Sequence, residues 1–86
     1  MTTQTVDAYK ELLVLLNRMD DLKLRYVLRH TRPDSVTVLI FVPGEIWEVD
    51  FVDYGDEVHV EVEVYRGGGV TGDEATLEEL FAKWEE

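Results

Sequence analysis

Two constellations in this 86-residue chain combine residue types and spacings that could do chemistry. The first is Gly67-x-Gly69-x-x-Gly72, placed where a strand pattern gives way to a helical one. In a dinucleotide-binding unit such glycines let the backbone approach a pyrophosphate at a helix N-terminus. Here Asp73 and Glu74 stand where the phosphate charge would go, and no second strand follows the helix to complete the unit. The acidic residue that would bind a ribose about 20 positions further on is also missing. The glycines read as a linker.

The second constellation is acidic. Glu48, Asp50, Glu61 and Glu63 alternate along two strand patterns joined by the turn Asp53-Tyr54-Gly55-Asp56, with His59 close by. A tight hairpin at that turn pairs Val52 with Glu57, Asp50 with His59 and Glu48 with Glu61, which gathers the four carboxylates and His59 on one sheet face. Such a set could bind a hard cation, or supply acid and base groups of raised pKa to a substrate. Like charges opposed across strands cost only a few tenths to about 1 kcal/mol in water, so a solvated acidic face accounts for the same pattern without a ligand. His59 opposite Asp50 would be a pH-sensitive contact, whereas His30 sits at a turn with no partner in view. Neither histidine accompanies a nucleophile motif. The chain has no Cys, which removes thiolate catalysis, a disulfide framework and cysteine metal sites. The expectation is a protein without catalytic, metal or cofactor residues.

The elements that position these residues follow from hydrophobic period. Residues 5–19 read as a helix, with Val6, Tyr9, Leu13 and Leu16 at helical spacing and Leu12 and Met19 widening the stripe. Four strands are expected at 23–30, 36–42, 46–52 and 57–65. The last is the clearest, with Val58, Val60, Val62 and Val64 alternating with His59, Glu61, Glu63 and Tyr65. Thr31-Arg32-Pro33-Asp34 and Pro43-Gly44 supply turns. A final helix over 73–84 is expected behind a capping box at Thr71-Gly72-Asp73-Glu74, with Leu77, Leu80, Phe81 and Trp84 on one stripe. Short turns imply an α+β fold of order α-β-β-β-β-α. It is a four-stranded antiparallel meander with both helices on one face and Trp47 and Trp84 in the core.

Composition agrees with one domain over residues 1–86. At 45% hydrophobic and 10% aromatic residues the chain is too rich in core-forming side chains for a disordered acidic tail. The start of the chain carries no signal pattern, and the longest apolar run, 12–16, is far short of the roughly 20 residues a bilayer requires. A cytoplasmic location is expected. Charge is divided unevenly: residues 1–43 hold six basic and five acidic side chains, residues 44–86 two basic and fourteen acidic, within a net charge of −11. Nucleic-acid binding needs clustered Lys and Arg and is not expected; an acidic face instead speeds encounter with a basic protein.

On the sheet face away from the helices, the meander sets Arg25 and Arg29 at one margin and Glu48, Asp50, His59, Glu61 and Glu63 at the other. Val27, Leu39, Phe41 and Ile46 fall between them. Monomers rarely leave such an apolar centre bare. Three readings follow. The leading one is a non-enzymatic interaction module contacting a basic partner, with Glu48, Asp50, Glu61 and Glu63 steering it and Leu39 and Phe41 anchoring it. The second is a homo-oligomeric structural protein, in which a two-fold axis lays the basic first strand, with Arg25, over the acidic fourth strand of a second copy. The third is a small ligand-binding protein or enzyme using the carboxylates and His59.

The stretches 42–51 (VPGEIWEVDF), 55–66 (GDEVHVEVEVYR) and 73–81 (DEATLEELF) resemble a group of small, uncharacterised, acidic bacterial α+β proteins. That resemblance covers most of the chain and implies a similar fold, with no activity attached. Small acidic bacterial domains include many toxin-neutralising immunity proteins, an analogy of class that points to the first reading.

Overall fold

Strand alternation and turn chemistry explain most of the architecture. The computed structural model describes residues 3–55, 57–67 and 72–84, and side chains from residue 8 to residue 83 within those spans. The side chains of Val6 and Trp84, and all of Asp56, Gly68, Gly69 and Thr71, therefore lie outside the described residues.

The order is α1 (Thr3–Leu22), β1 (Arg25–Arg32), β2 (Ser35–Val42), β3 (Glu45–Asp53), β4 (Val58–Arg66), β5 (Asp73–Ala75) and α2 (Leu77–Trp84). All five strands form one antiparallel sheet in sequence order. The α+β class and the meander stand, but among the described residues the sheet has five strands where four are expected. Asp73–Ala75, read from sequence as the first helical turn, instead pairs with Val62, Glu63 and Val64 of β4. The helix starts later because the capping box is Thr76-Leu77-Glu78-Glu79. The Thr76 hydroxyl accepts the Glu79 N–H at 3.2 Å, and Glu79 Oε2 accepts the Thr76 N–H at 2.7 Å.

The β2–β3 hairpin closes through Pro43 and Gly44, with Gly44 at a φ of 79°, the Pro-Gly combination of a type II turn. The β3–β4 loop is wider than a tight turn. Asp53 pairs with Val58, Tyr54 N–H bonds the Glu57 carbonyl at 2.9 Å, and the Asp53 carboxylate accepts the Gly55 N–H at 2.8 Å. Relative to the tight hairpin, the pairing slides by two residues. Because the side-chain period is two, every residue keeps its face while changing its partner.

The end of α1 is set by a Schellman motif. Lys23 takes a φ of 59°, its N–H bonds the Asp20 carbonyl at 3.1 Å, and Leu24 N–H bonds the Met19 carbonyl at 2.9 Å. Lys23 therefore belongs to the cap and not to β1, and the strand begins at Arg25. The buried stripe of α1 also differs in phase from the sequence reading. Leu15 and Met19 are buried with Leu12, Leu16 and Leu22 beside them, whereas Tyr9 is 65% exposed and Leu13 also faces solvent. Five consecutive apolar residues, 12–16, leave the helix rotation undetermined locally, and Met19 and Leu22 fix it.

The core joins Leu15 and Met19 of α1, Leu80 of α2, and Val38, Ile40, Val42, Trp47, Val49, Phe51, Val62 and Val64 of the sheet. Arg18 lies over the Phe81 ring, 4.6 Å from its centroid, so the two helices meet by a cation–π contact as well as through the core. Trp47 is buried as expected.

Candidate interaction face

The residues singled out from the sequence alternate with the core-facing residues of their strands, so they share the opposite, outer face of the sheet. Cross-strand register arranges them in rungs. One rung runs Arg25–Phe41–Ile46–Tyr65, the next Val27–Leu39–Glu48–Glu63–Glu74, and a third Arg29–Thr37–Asp50–Glu61. Each rung passes from a basic or apolar end on β1 to a carboxylate or phenol on β4 or β5. The apolar middle is open: Val27 is 48% exposed, Ile46 41% and Phe41 36%, with Leu39 half-buried among them.

The two-residue slide in the β3–β4 pairing changes the carboxylate geometry. Asp50 opposes Glu61 and Glu48 opposes Glu63, so like charges face each other in two adjacent rungs. His59 opposes Val52 and not Asp50; its Nε2 lies 3.1 Å from Glu57 Oε2, and its ring meets Tyr54 edge-on at 4.7 Å. Repulsion is absorbed locally by hydroxyl donors. Thr37 donates to Asp50, Tyr54 OH donates to Glu61 Oε2 at 2.5 Å, and Tyr65 OH donates to Glu63 Oε1 at 3.2 Å. Each donor relieves one carboxylate without removing its charge.

Partial burial pushes the Glu48 carboxyl above the usual carboxylate range, and neighbouring Asp50 and Glu63 add to the shift. Burial, followed by the charges of Glu48 and Glu63, pushes the Tyr65 phenol up to about 12. The Glu61 carboxylate, as hydrogen-bond acceptor, raises Tyr54 as well. The face is thus strongly anionic at β3–β5 and holds its phenols protonated. Among the described residues no three His, Asp or Glu side chains are grouped to hold a metal ion. A cleft of about 540 Å³ opens where β4, β5 and the start of α2 meet. Glu61, Glu63, Glu74 and Glu79 line it, while Glu48, Asp50 and His59 do not.

Sequence reasoning missed Glu45. This carboxylate is buried on the inner face, where its Oε1 accepts the Trp47 indole N–H at 2.9 Å and its Oε2 accepts Arg66 Nε at 3.1 Å and Lys83 Nζ at 2.7 Å. The Lys83 hydrogen bond, opposed by burial and aided by Trp47 and the nearby cations, holds its pKa below the usual value. The signal was present: Glu45 is in phase with Trp47, Val49 and Phe51, and a charge on a buried stripe needs partners. Tyr65 was likewise placed on the correct face without its role as donor to the carboxylates being evident.

Comparisons with protein-family models, with curated protein sequences and with solved structures find no match in any of the three. No described helix is long and apolar enough to cross a membrane.

Proposed function

We propose that this chain is a non-enzymatic interaction module, of the immunity or regulator kind, whose outer sheet face docks a protein partner with a basic surface. The observation that carries the reading is the open strip of Val27, Phe41 and Ile46 bordered by the paired carboxylates Glu48–Glu63 and Asp50–Glu61. Apolar side chains left bare beside a single-sign field suit an encounter steered by charge and held by desolvation. The finer placement of both helices on the inner face is part of this proposal. It is supported by Leu15, Met19 and Leu80 sharing one core with Val38, Val49 and Val62, which leaves the outer strip uncovered. The chain's lack of cysteine and its resemblance to small acidic bacterial proteins suit a setting in the bacterial cytoplasm.

Self-association is the second reading, favoured by one observation: Arg25 and Arg29 stand at the margin opposite Glu61 and Glu63. A two-fold partner would then bring opposite charges together around the shared apolar strip.

The test joins capture to charge reversal. A basic partner recovered with the wild-type chain should associate at least about tenfold more slowly with the E48K/E61K double variant, and with a weaker dependence on salt. It should also dissociate faster from Phe41→Ser. Unchanged on-rates reject the steering role of these carboxylates. A mass that doubles with concentration in sedimentation, and stays monomeric in Phe41→Ser, moves the assignment to self-association.

A further inference from the structure

β5 covers only part of its neighbour. The nine residues of β4 pair with β3 along their whole length, while β5 meets Val62, Glu63 and Val64 alone. After Ala75 the chain passes through Thr76 into α2, so among the described residues no strand lies against Val58–Glu61 on the side away from β3. Burial follows this boundary. Val62 and Val64 are buried, whereas Val58 and Val60, on the same inner face, are half-buried, and His59 and Glu61 are exposed. Successive residues of an antiparallel strand turn their N–H and C=O groups to opposite sides, so two of these four residues present backbone donors and acceptors outward. An unpaired edge of this kind is a template for another strand.

The edge also states what chemistry it accepts. It runs into the cleft of about 540 Å³ whose floor includes Val60 and Val62 and whose walls carry Glu61, Glu63, Glu74 and Glu79. A second copy of β4 would bring Glu57, Glu61 and Glu63 of its own to an edge already walled by carboxylates. A segment with alternating apolar and cationic side chains fits both surfaces, its apolar residues beside Val58 and Val60 and its cations beside the carboxylates.

We propose that the open edge of β4 takes an extended, lysine- or arginine-bearing segment of a partner protein as an added antiparallel strand, continuing the line of β5. Backbone pairing supplies register and the carboxylates supply selectivity for basic segments. This shares with the reading above the basic character of the partner and the carboxylates Glu61 and Glu63, and requires nothing of the Val27–Phe41–Ile46 strip.

The test uses the full chain and a synthetic probe, the acetylated and amidated hexapeptide Lys-Val-Lys-Val-Lys-Val. Titration should give saturable binding, with amide shifts centred on His59, Val60 and Glu61 and slower hydrogen exchange there. Two further peptides, N-methylated on one or the other set of alternate residues, decide the mode. Strand addition predicts that one set binds at least about tenfold more weakly while the other resembles the parent, a difference of about 1.4 kcal/mol. Glu61→Gln with Glu74→Gln should weaken the parent peptide, and Phe41→Ser should leave it unchanged, which separates this site from the outer face. Several results overturn the proposal: no binding, equal binding of both N-methylated peptides, or shifts centred on Val27 and Phe41. Protection of His59–Glu61 that rises with protein concentration alone would assign the edge to a second copy and overturn it too.

Discussion

Glu45 and Lys83 are 38 positions apart in the chain, and their Oε2 and Nζ atoms lie 2.7 Å apart. One carboxylate at the start of β3 thereby fastens α2 to the sheet, while Arg66 on β4 and the Trp47 indole take its remaining lone pairs. The arrangement satisfies a buried charge from three sides, and Trp47 cannot keep an acceptor without it.

Removing that carboxylate should therefore cost more than an exposed ion pair would. Glu45→Ala leaves the buried indole N–H without its acceptor and the half-exposed Lys83 and Arg66 cations without their shared partner, and is expected to lose about 1–3 kcal/mol in urea unfolding at pH 7. The pH dependence has a defined sign. The folded pKa of Glu45 is depressed below its ordinary 4.5, so its stabilisation is complete above the unfolded value and is lost as pH falls through the folded one. The urea midpoint of the wild type should drop on acidification below about pH 4.5, and the drop should be smaller in Glu45→Gln. Equal acid sensitivity of the two proteins would show that the contact adds no net stability.

Glu48 carries the opposite sign. Its folded pKa is raised, chiefly by burial and then by Asp50 and Glu63, so its ionisation opposes folding as pH rises through and beyond its unfolded value. Glu48→Gln should stabilise the protein at pH 7 by a few tenths to about 1 kcal/mol, the usual range for relieving opposed like charges across strands. The gain should vanish below the unfolded carboxyl range, where both side chains are neutral. A variant that is less stable at pH 7 would mean that the favourable effect of the nearby Tyr65 hydroxyl on the ionised Glu48 outweighs the repulsion.

Gly72 has a role that its Gly-x-Gly-x-x-Gly spacing did not suggest, because Tyr65 packs directly against its Cα. A Cβ built there would stand 2.6 Å from Tyr65 Cζ and 2.7 Å from Cε2, so the absence of a side chain makes room for the ring. Gly72→Ala should displace the phenol from its carboxylate partners and cost about 1–3 kcal/mol, the usual penalty for overfilling a close contact. Titration of Tyr65, about 12 in the wild type, should then move down toward the ordinary phenol value. In a Tyr65→Ala background the same glycine substitution should cost little; an undiminished cost would locate the strain in the backbone instead.

The sheet was legible because its signals are local. Val58, Val60, Val62 and Val64 alternate without interruption, and Pro43-Gly44 can only turn, so faces and strand order follow from neighbours in sequence. What failed were choices between locally equivalent options. Thr71-to-Glu74 and Thr76-to-Glu79 are both Thr-x-x-Glu motifs, and only pairing of Asp73–Ala75 with β4 selects the second. The loop after Asp53 closes by the Tyr54–Glu57 backbone bond and an Asx contact to Gly55, details that decide whether Asp50 meets His59 or Glu61. The stripe of α1 was ambiguous across 12–16 until the sheet chose one side. Of the candidate site, the shared face was readable from parity alone, whereas the opposing carboxylate pairs depended on that loop.

The same limit applies at the end of α1, where a lysine does a glycine's work. Lys23 occupies the left-handed region with a φ of 59°, at the C′ position of a Schellman motif. For a residue with a Cβ that conformation costs roughly 1–2 kcal/mol relative to the right-handed region, and glycine escapes the penalty. Part of the gain is returned because glycine also has more freedom to lose on folding. Lys23→Gly is therefore expected to stabilise the chain by about 0.5–1 kcal/mol, read as a higher urea midpoint with an unchanged slope. Lys23→Ala keeps the Cβ and serves as the control, since it removes the charge without relieving the backbone. If alanine stabilises as much as glycine, the effect belongs to the lysine charge and not to the turn. If neither does, the Asp20 and Met19 carbonyl contacts already hold the cap against its strain.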